Sequence, residues 1–244
     1  MKKQGLLFKL IKKIIKIFYK TPEFLGVENL PKEPTIIIGN HAQVHGPIVA
    51  EAYMPKNTYV WITGEMLSVK KIPKYVYEDF WRLKPRALKW FYKGLSYLVA
   101  PLFSYVFNNA KGIGVYKDIK IANTLKNTVL RLNEGNNVVI FPESRESFNN
   151  VVNEFQKNFV DVARIYYKVK KVELTFIPTY ICPELRKVIY GKPVKFNATA
   201  PYEQEKERIV NYLKEEITNL AKSLPVHKVV PYINVKKKCY PKSK

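Results

Sequence analysis

Only three histidines occur in 244 residues, and two of them stand together in the segment Asn40-His41-Ala42-Gln43-Val44-His45-Gly46-Pro47. The segment follows the apolar run Ile36-Ile37-Ile38. An apolar strand that ends in Asn-His before Gly-Pro sets an imidazole at the strand's end, the rim where ligand crevices form in α/β sheets. A neutral imidazole there can take a proton from an attacking hydroxyl. A capping or core histidine would give the same local pattern. Histidines four apart could ligate zinc, but no glutamate follows the first, and only the distant His227 and two unpaired cysteines could complete a site. No metal is expected. A serine hydrolase would need a GxSxG elbow, which the chain lacks.

A second cluster, Phe141-Pro142-Glu143-Ser144-Arg145-Glu146, again follows an apolar run, Val138-Val139-Ile140. It presents Glu143, Ser144 and Arg145 at another strand end. The planar guanidinium fork suits a phosphate. A solvated turn with a local Glu–Arg pair is the plainer reading of this segment by itself.

Short β-rich runs alternating with helical patterns must position these residues. Strands are predicted at Thr35–Gly39, Thr58–Thr63, Ile113–Tyr116, Asn137–Phe141, Leu174–Ile181 and Val188–Phe196. Several are nearly continuous apolar runs, as in strands covered on both faces. Helices are predicted at Asp118–Glu134 (N-cap Asp118, Gly135 past the end), Phe155–Tyr167 and Tyr202–Leu224. The alternation argues for an α/β fold with a mixed, largely parallel sheet flanked by helices. The length suits one large domain.

The formal net charge is +22, with 42 Lys+Arg against 20 Asp+Glu. Seven lysines and no acid fall in residues 1–20, five lysines and no acid in 236–244, and nine bases with two acids in 66–111. Basic clusters serve nucleic-acid binders and membrane-surface proteins alike, so their company decides. In Leu6–Lys20 the residues Leu7, Leu10, Ile11, Ile14 and Phe18 recur at helical spacing, with lysines mainly on the other side. That describes a basic amphipathic helix suited to an anionic leaflet, or a Lys-rich helix packed on its own domain. The 66–111 segment adds Trp81, Trp90, Phe91, Tyr92, Tyr97, Phe103, Tyr105 and Phe107. Its charge-free stretch Gly94–Phe107 is 14 residues long, too short to span about 30 Å of hydrocarbon. A helical pair dipping into a membrane, or a buried helical subdomain, fits it. Base stacking does not need the long aliphatic runs, so nucleic acid is not the expected partner.

The expected organisation is a membrane-associating helix at 1–23, an α/β domain at 24–225 with a basic, aromatic, helical, membrane-facing insertion at 66–111, and a Lys-rich tail at 226–244. Cys182 and Cys239 form no disulfide framework and no CxxC motif. They read as reduced thiols of a protein on the cytoplasmic face of the cell membrane, held peripherally or monotopically.

Together the two clusters resemble the glycerolipid acyltransferase family, which contains the 1-acylglycerol-3-phosphate acyltransferases. The family's Asn-His-x4-Asp block is similar to the chain at Asn40, His41 and Pro47. Its FPEGTR or FPEGR block is similar at Phe141, Pro142, Glu143 and Arg145. The Gly-x-Ile-Pro-Val-x-Arg block looks like Gly112–Lys117, with Lys117 at the arginine. The apolar-Pro block resembles the segment around Pro178, and Tyr190–Phe196 follows it. Order and spacing agree over roughly residues 24–222.

The resemblance implies acyl transfer from acyl-CoA or acyl carrier protein to a lysophospholipid hydroxyl, with no bound cofactor. His41 would be the general base. Asn40, Glu143, Ser144, Arg145 and Lys117 would hold the acceptor, with Arg145 and Lys117 on its phosphate. Two positions depart from the pattern. The family's acid falls on Gly46, so His45 or a distant acid such as Glu51 or Glu65 would have to assist His41, and the glycine of the third block is Ser144. The other reading keeps the fold and the membrane but not the chemistry: a degenerate, lipid-binding relative.

Overall fold

The structure is a computed structural model and describes residues 4–82, 84–116 and 120–244. Its centre is a sheet whose strands run β1 (Glu23–Leu25), β2 (Thr35–Gly39), β3 (Thr58–Thr63), β4 (Gly112–Val115) and β5 (Asn137–Ile140). They are followed by β6 (Glu143–Phe148), β7 (Asn153–Phe155), β8 (Thr175–Cys182), β9 (Lys187–Tyr190) and β10 (Val194–Lys195). Across the main sheet the order is β1-β9-β8-β2-β5-β3-β4, with β10 also on β8, while β6 and β7 form a separate hairpin. The block β8-β2-β5-β3-β4 is parallel, and β9 and β10 pair antiparallel to β8. The sheet is mixed and largely parallel, as the alternation implies.

Helices cover both faces: α1 (Leu6–Phe18), α2 (His45–Ala52), α3 (Ile72–Val76), α4 (Lys89–Asn109), α5 (Ile121–Asn133), α6 (Asp161–Lys170) and α7 (Tyr202–Ser223). Alternation along the strands decides which helix meets which face. Ile36, Ile38, Val138 and Ile140 point to the layer of α5, α6 and α7. Ile37 and Val139 point to Val49 and Ala50 of α2. Neither face of β2 meets water, and its three isoleucines are fully buried. Each is worth about 1.5–3 kcal/mol of burial. The stripe of α7 is Ile209, Leu213, Ile217 and Ala221, all without exposure.

This layering locates a crevice. Chain leaving β2 goes to α2 on one face, whereas chain leaving the adjacent β5 goes by way of the β6–β7 hairpin to α6 on the other. Neighbouring strands whose continuations part to opposite faces leave a gap at their carboxyl ends, the switch point where α/β sheets bind ligands.

Residues 66–107 build a satellite around Met66, Ile72, Val76 and Ala100, with Trp81, Phe103 and Phe107 packed on it. Small residues Ser96, Ala100 and Ser104 line the inner face of α4 and let it pack closely. Its outer face leaves Trp90, Tyr97, Leu98 and Leu102 exposed. The N-terminal helix forms as its spacing predicts, but its inner side is Phe8 with Ile11, Lys12 and Ile15 half-buried beside it. Leu7, Leu10, Ile14, Ile17 and Phe18 stay exposed. Among the described residues no helix is long and apolar enough to cross a membrane.

Two boundaries differ from expectation. The segment predicted as a helix from Phe155 begins as strand β7, passes through a 3-10 turn at Lys157–Val160 and becomes α-helical only at Asp161. The long run Val188–Phe196 divides into β9 and β10, broken around Gly191 and Pro193. The predicted cap Asp118 lies outside the described residues.

Candidate active site

The β2–β5 register pairs Ile38 with Ile140, so the residues three further on, His41 and Glu143, arrive side by side at the switch point. The His41 backbone N–H donates to Glu143 Oε1 at 2.7 Å, and the Asn153 N–H donates to Oε2 at 2.8 Å. Glu143 is therefore a buried clamp joining the β2 loop to the hairpin. Burial pushes its pKa up to about 7 against the two backbone donors. Asn40 is likewise committed: its Nδ2 donates to the Ile181 carbonyl at 3.0 Å and its Oδ1 accepts from the Ile181 N–H at 2.7 Å. It knits β2 to β8 and holds the neighbouring histidine in place. For both residues the structure shows positioning contacts with the backbone.

Beyond His41 the backbone is strained. Ala42 and Gln43 have φ of 45° and 54°, a left-handed conformation that non-glycine residues adopt at a cost of about 1–3 kcal/mol each, typically near functional sites. The turn brings the Gly46 N–H onto the His41 carbonyl at 3.0 Å. A Cβ at Gly46 would stand 2.5 Å from that carbonyl oxygen and 3.0 Å from the Phe141 ring. The position where the related block carries an acid has no room here for a side chain.

The His41 ring lies edge-on to Phe141 and to Tyr232, with centroids 5.4 and 5.2 Å away. Its Nδ1 is sealed from solvent without a hydrogen-bond partner. Burial lowers its pKa to about 4, while the Gln43 carbonyl and the Asp79 carboxylate pull the other way. The imidazole is thus neutral at ordinary pH, the form a general base requires. Asp79, from a π-helical turn before α4, lies 3.8 Å from Arg145 Nη2. Arg145 is otherwise mostly exposed and also meets the Tyr232 hydroxyl. Ser144 Oγ accepts the Glu146 N–H at 3.2 Å and shapes this turn.

His45 goes elsewhere. Its Nδ1 is 3.1 Å from the Tyr19 hydroxyl at the end of α1, and burial and Lys237 lower its pKa. It lines a cleft of about 260 Å³ with Val49, Ile181, Cys182 and Arg186. Glu51 pairs with Lys12 of α1 at 3.0 Å, and Glu65 is exposed. Among the described residues neither carboxylate hydrogen-bonds the Nδ1 of His41. Lys117 lies outside the described residues. Among the described residues no three His, Cys, Asp or Glu side chains gather as a metal site. The groups that sequence missed are Asp79 and Tyr232, which no local pattern links to His41.

Residues 80–183 match the family model described as Acyltransferase. That span takes in Glu143, Ser144 and Arg145 but starts after Asn40 and His41. No curated protein sequence matches the chain. Among solved structures, the crystal structure of the 1-acyl-sn-glycerophosphate (LPA) acyltransferase PlsC from Thermotoga maritima is similar with a TM-score of 0.49 and 17% identity. The likeness covers 90% of this chain and 83% of that one. Over residues 80–183, the chain is similar to the acyltransferase family.

Proposed function

We propose that the protein moves an acyl chain from a thioester, acyl-CoA or acyl carrier protein, to the hydroxyl of a lysophospholipid such as 1-acylglycerol-3-phosphate at an anionic membrane surface. The observation that carries this reading is a neutral, half-buried imidazole, His41, with its Nδ1 sealed from solvent, held at the sheet's switch point beside an exposed arginine, Arg145. In the step, His41 takes the proton as the acceptor oxygen attacks the thioester carbonyl carbon. The C–O bond forms, the C–S bond breaks, and the imidazolium returns the proton to the departing thiolate. Backbone N–H groups at the strand ends are the candidate donors to the tetrahedral oxyanion. Arg145 holds the acceptor phosphate through charge-assisted hydrogen bonds. Asp79 opposes the burial that depresses His41 and restrains Arg145, a positioning role for an acid supplied by the helical insertion rather than by position 46.

Membrane attachment through the exposed apolar residues of α1, flanked by lysines, and through the outer face of α4 brings the lipid acceptor to the site. The test is acyl transfer by the purified protein from both donors to a panel of lysolipids on anionic vesicles. Turnover of a phosphate-bearing acceptor supports the reading. Lipid binding without turnover of any acceptor favours the degenerate alternative.

A further inference from the structure

The C-terminal segment is a closed loop. Its two ends meet: the Val229 N–H donates to the Pro241 carbonyl at 2.9 Å, the Ser243 N–H donates to the His227 carbonyl at 3.0 Å, and a bridge pairs Lys228 with Lys242. The base is anchored in the core. His227 is 3% exposed, with its Nε2 2.8 Å from the Tyr180 hydroxyl and its Nδ1 2.8 Å from the Pro225 carbonyl. Val229 is fully buried. Residues 231–240 therefore form a loop with adjoining ends, of the kind that can move about a fixed base.

Its inner side lies on the site at three places. The Tyr232 ring packs on His41 at 5.2 Å, Asn234 Nδ2 donates to the Asp79 carbonyl at 2.6 Å, and the Tyr240 hydroxyl donates to Gln43 Oε1 at 3.2 Å. Its outer side is the run Val235-Lys236-Lys237-Lys238-Cys239, exposed throughout. Among the described residues no carboxylate pairs with Lys236, Lys237 or Lys238. Lys237 is close enough to His45 to lower its pKa, and His45 contacts Tyr19 at the end of α1. The lysine tip thus adjoins the helix whose apolar face is bare.

We propose that the 231–240 loop is a docking element for an anionic bilayer whose attachment uncovers His41. Tyr232 occupies the space beside the imidazole where an acceptor hydroxyl has to arrive. The side-chain contacts that hold the loop on the site are the Tyr232 ring on His41, Tyr232 with Arg145, and two single hydrogen bonds. Each lysine brought to an anionic leaflet favours the attached form by about fivefold, so three favour it by about a hundredfold. That gain belongs only to a loop swung out to the surface, which is the differential interaction a population shift requires. The proposal rests on the acyl-transfer reading for its purpose, but not for its test.

The test is the rate at which diethyl pyrocarbonate modifies His41 in the full chain, read by peptide mass spectrometry. The protein is measured alone, with phosphatidylcholine vesicles, and with vesicles that also contain phosphatidylglycerol. Modification is expected to rise about tenfold or more with the anionic vesicles only. Tyr232→Ala should show the raised rate without vesicles. The Lys236→Gln/Lys237→Gln/Lys238→Gln variant should lose the rise. Equal modification under all conditions, or an undiminished rise in the lysine variant, overturns the proposal. A rise caused by acyl carrier protein without vesicles also overturns it, by assigning the lysines to an acidic protein partner. Acyl transfer is measured in parallel. A protein that shows the vesicle-dependent exposure of His41 but no turnover would refute the acyl-transfer reading and leave the docking loop standing.

Discussion

The backbone N–H of His41 is held by Glu143 Oε1 at 2.7 Å, so the candidate base on one strand end is positioned by the candidate phosphate-binding turn on the next. Glu143 uses its second oxygen on Asn153, which makes one buried carboxylate the link between the β2 loop, β5 and the β6–β7 hairpin. The two segments that the sequence presents as separate clusters are one site because parallel strands in register deliver them to the same place.

Burial moves the two groups in opposite directions, and the signs can be checked by stability. His41 falls from 6.5 to about 4 on folding. Its contribution to stability is present above pH 6.5 and is lost as pH falls toward 4, because the unfolded chain binds the proton first. Glu143 rises from 4.5 to about 7, so its contribution is present below pH 4.5 and is lost as pH rises toward 7. Urea unfolding of the wild type and His41→Ala across this range should give a difference that grows with pH between about 4 and 6.5. A difference independent of pH would count against a neutral imidazole shielded from solvent.

Gly46 has a stated reason for carrying no side chain. Restoring the acid of the related block with Gly46→Asp should not rescue or raise activity. It should destabilise the fold by about 1–3 kcal/mol through overpacking against the His41 carbonyl and Phe141. A variant as stable as the wild type and more active would show that the turn accepts the acid.

Arg145 is exposed beside the site and pairs with Asp79 at 3.8 Å. Arg145→Gln should raise KM for a phosphate-bearing lysolipid by about tenfold or more, the size of a charge-assisted hydrogen bond. It should change KM little for an uncharged monoacylglycerol. Equal losses on both acceptors would remove the phosphate assignment.

The proposed membrane attachment by α1 rests on residues that the fold itself leaves bare. Leu10→Glu and Ile14→Glu should each weaken binding to anionic vesicles about tenfold or more, since each replaces an exposed aliphatic side chain of the proposed lipid-facing stripe with a charge. Both variants should keep the wild-type Tm, because Leu10 and Ile14 are 53% and 45% exposed. Unchanged vesicle sedimentation would contradict a role for this helix.

The sequence reads best where a segment's neighbours are implied by its own pattern. β2 and β3 fall where continuous apolar runs put them, because strands covered on both faces have no polar side to blur their ends. The Phe155–Tyr167 segment misleads because Phe159, Val162, Ala163 and Tyr166 keep helical spacing while the chain before Asp161 is a strand and a 3-10 turn. The β6–β7 hairpin is obscured by its polar residues, although Asn149 and Asn150, the latter at φ 73°, are a turn signal. His41 and Arg145 are legible as residue types at strand ends. The duties of Asn40 and Glu143 are not, since committed and free polar groups look alike until their backbone partners are placed. Asp79 and Tyr232 reach His41 from the helical insertion and from the C-terminal loop, and no spacing rule connects segments so far apart.

The most direct measurement is kcat/KM for acyl transfer to a lysophospholipid on anionic vesicles, wild type against His41→Ala, with His45→Ala as the companion. A general base of this kind is worth about 100- to 10,000-fold. His41→Ala should fall by that factor while His45→Ala, whose imidazole is bonded to Tyr19, retains most of the activity. Turnover undiminished in His41→Ala would contradict the assignment of His41 as the base.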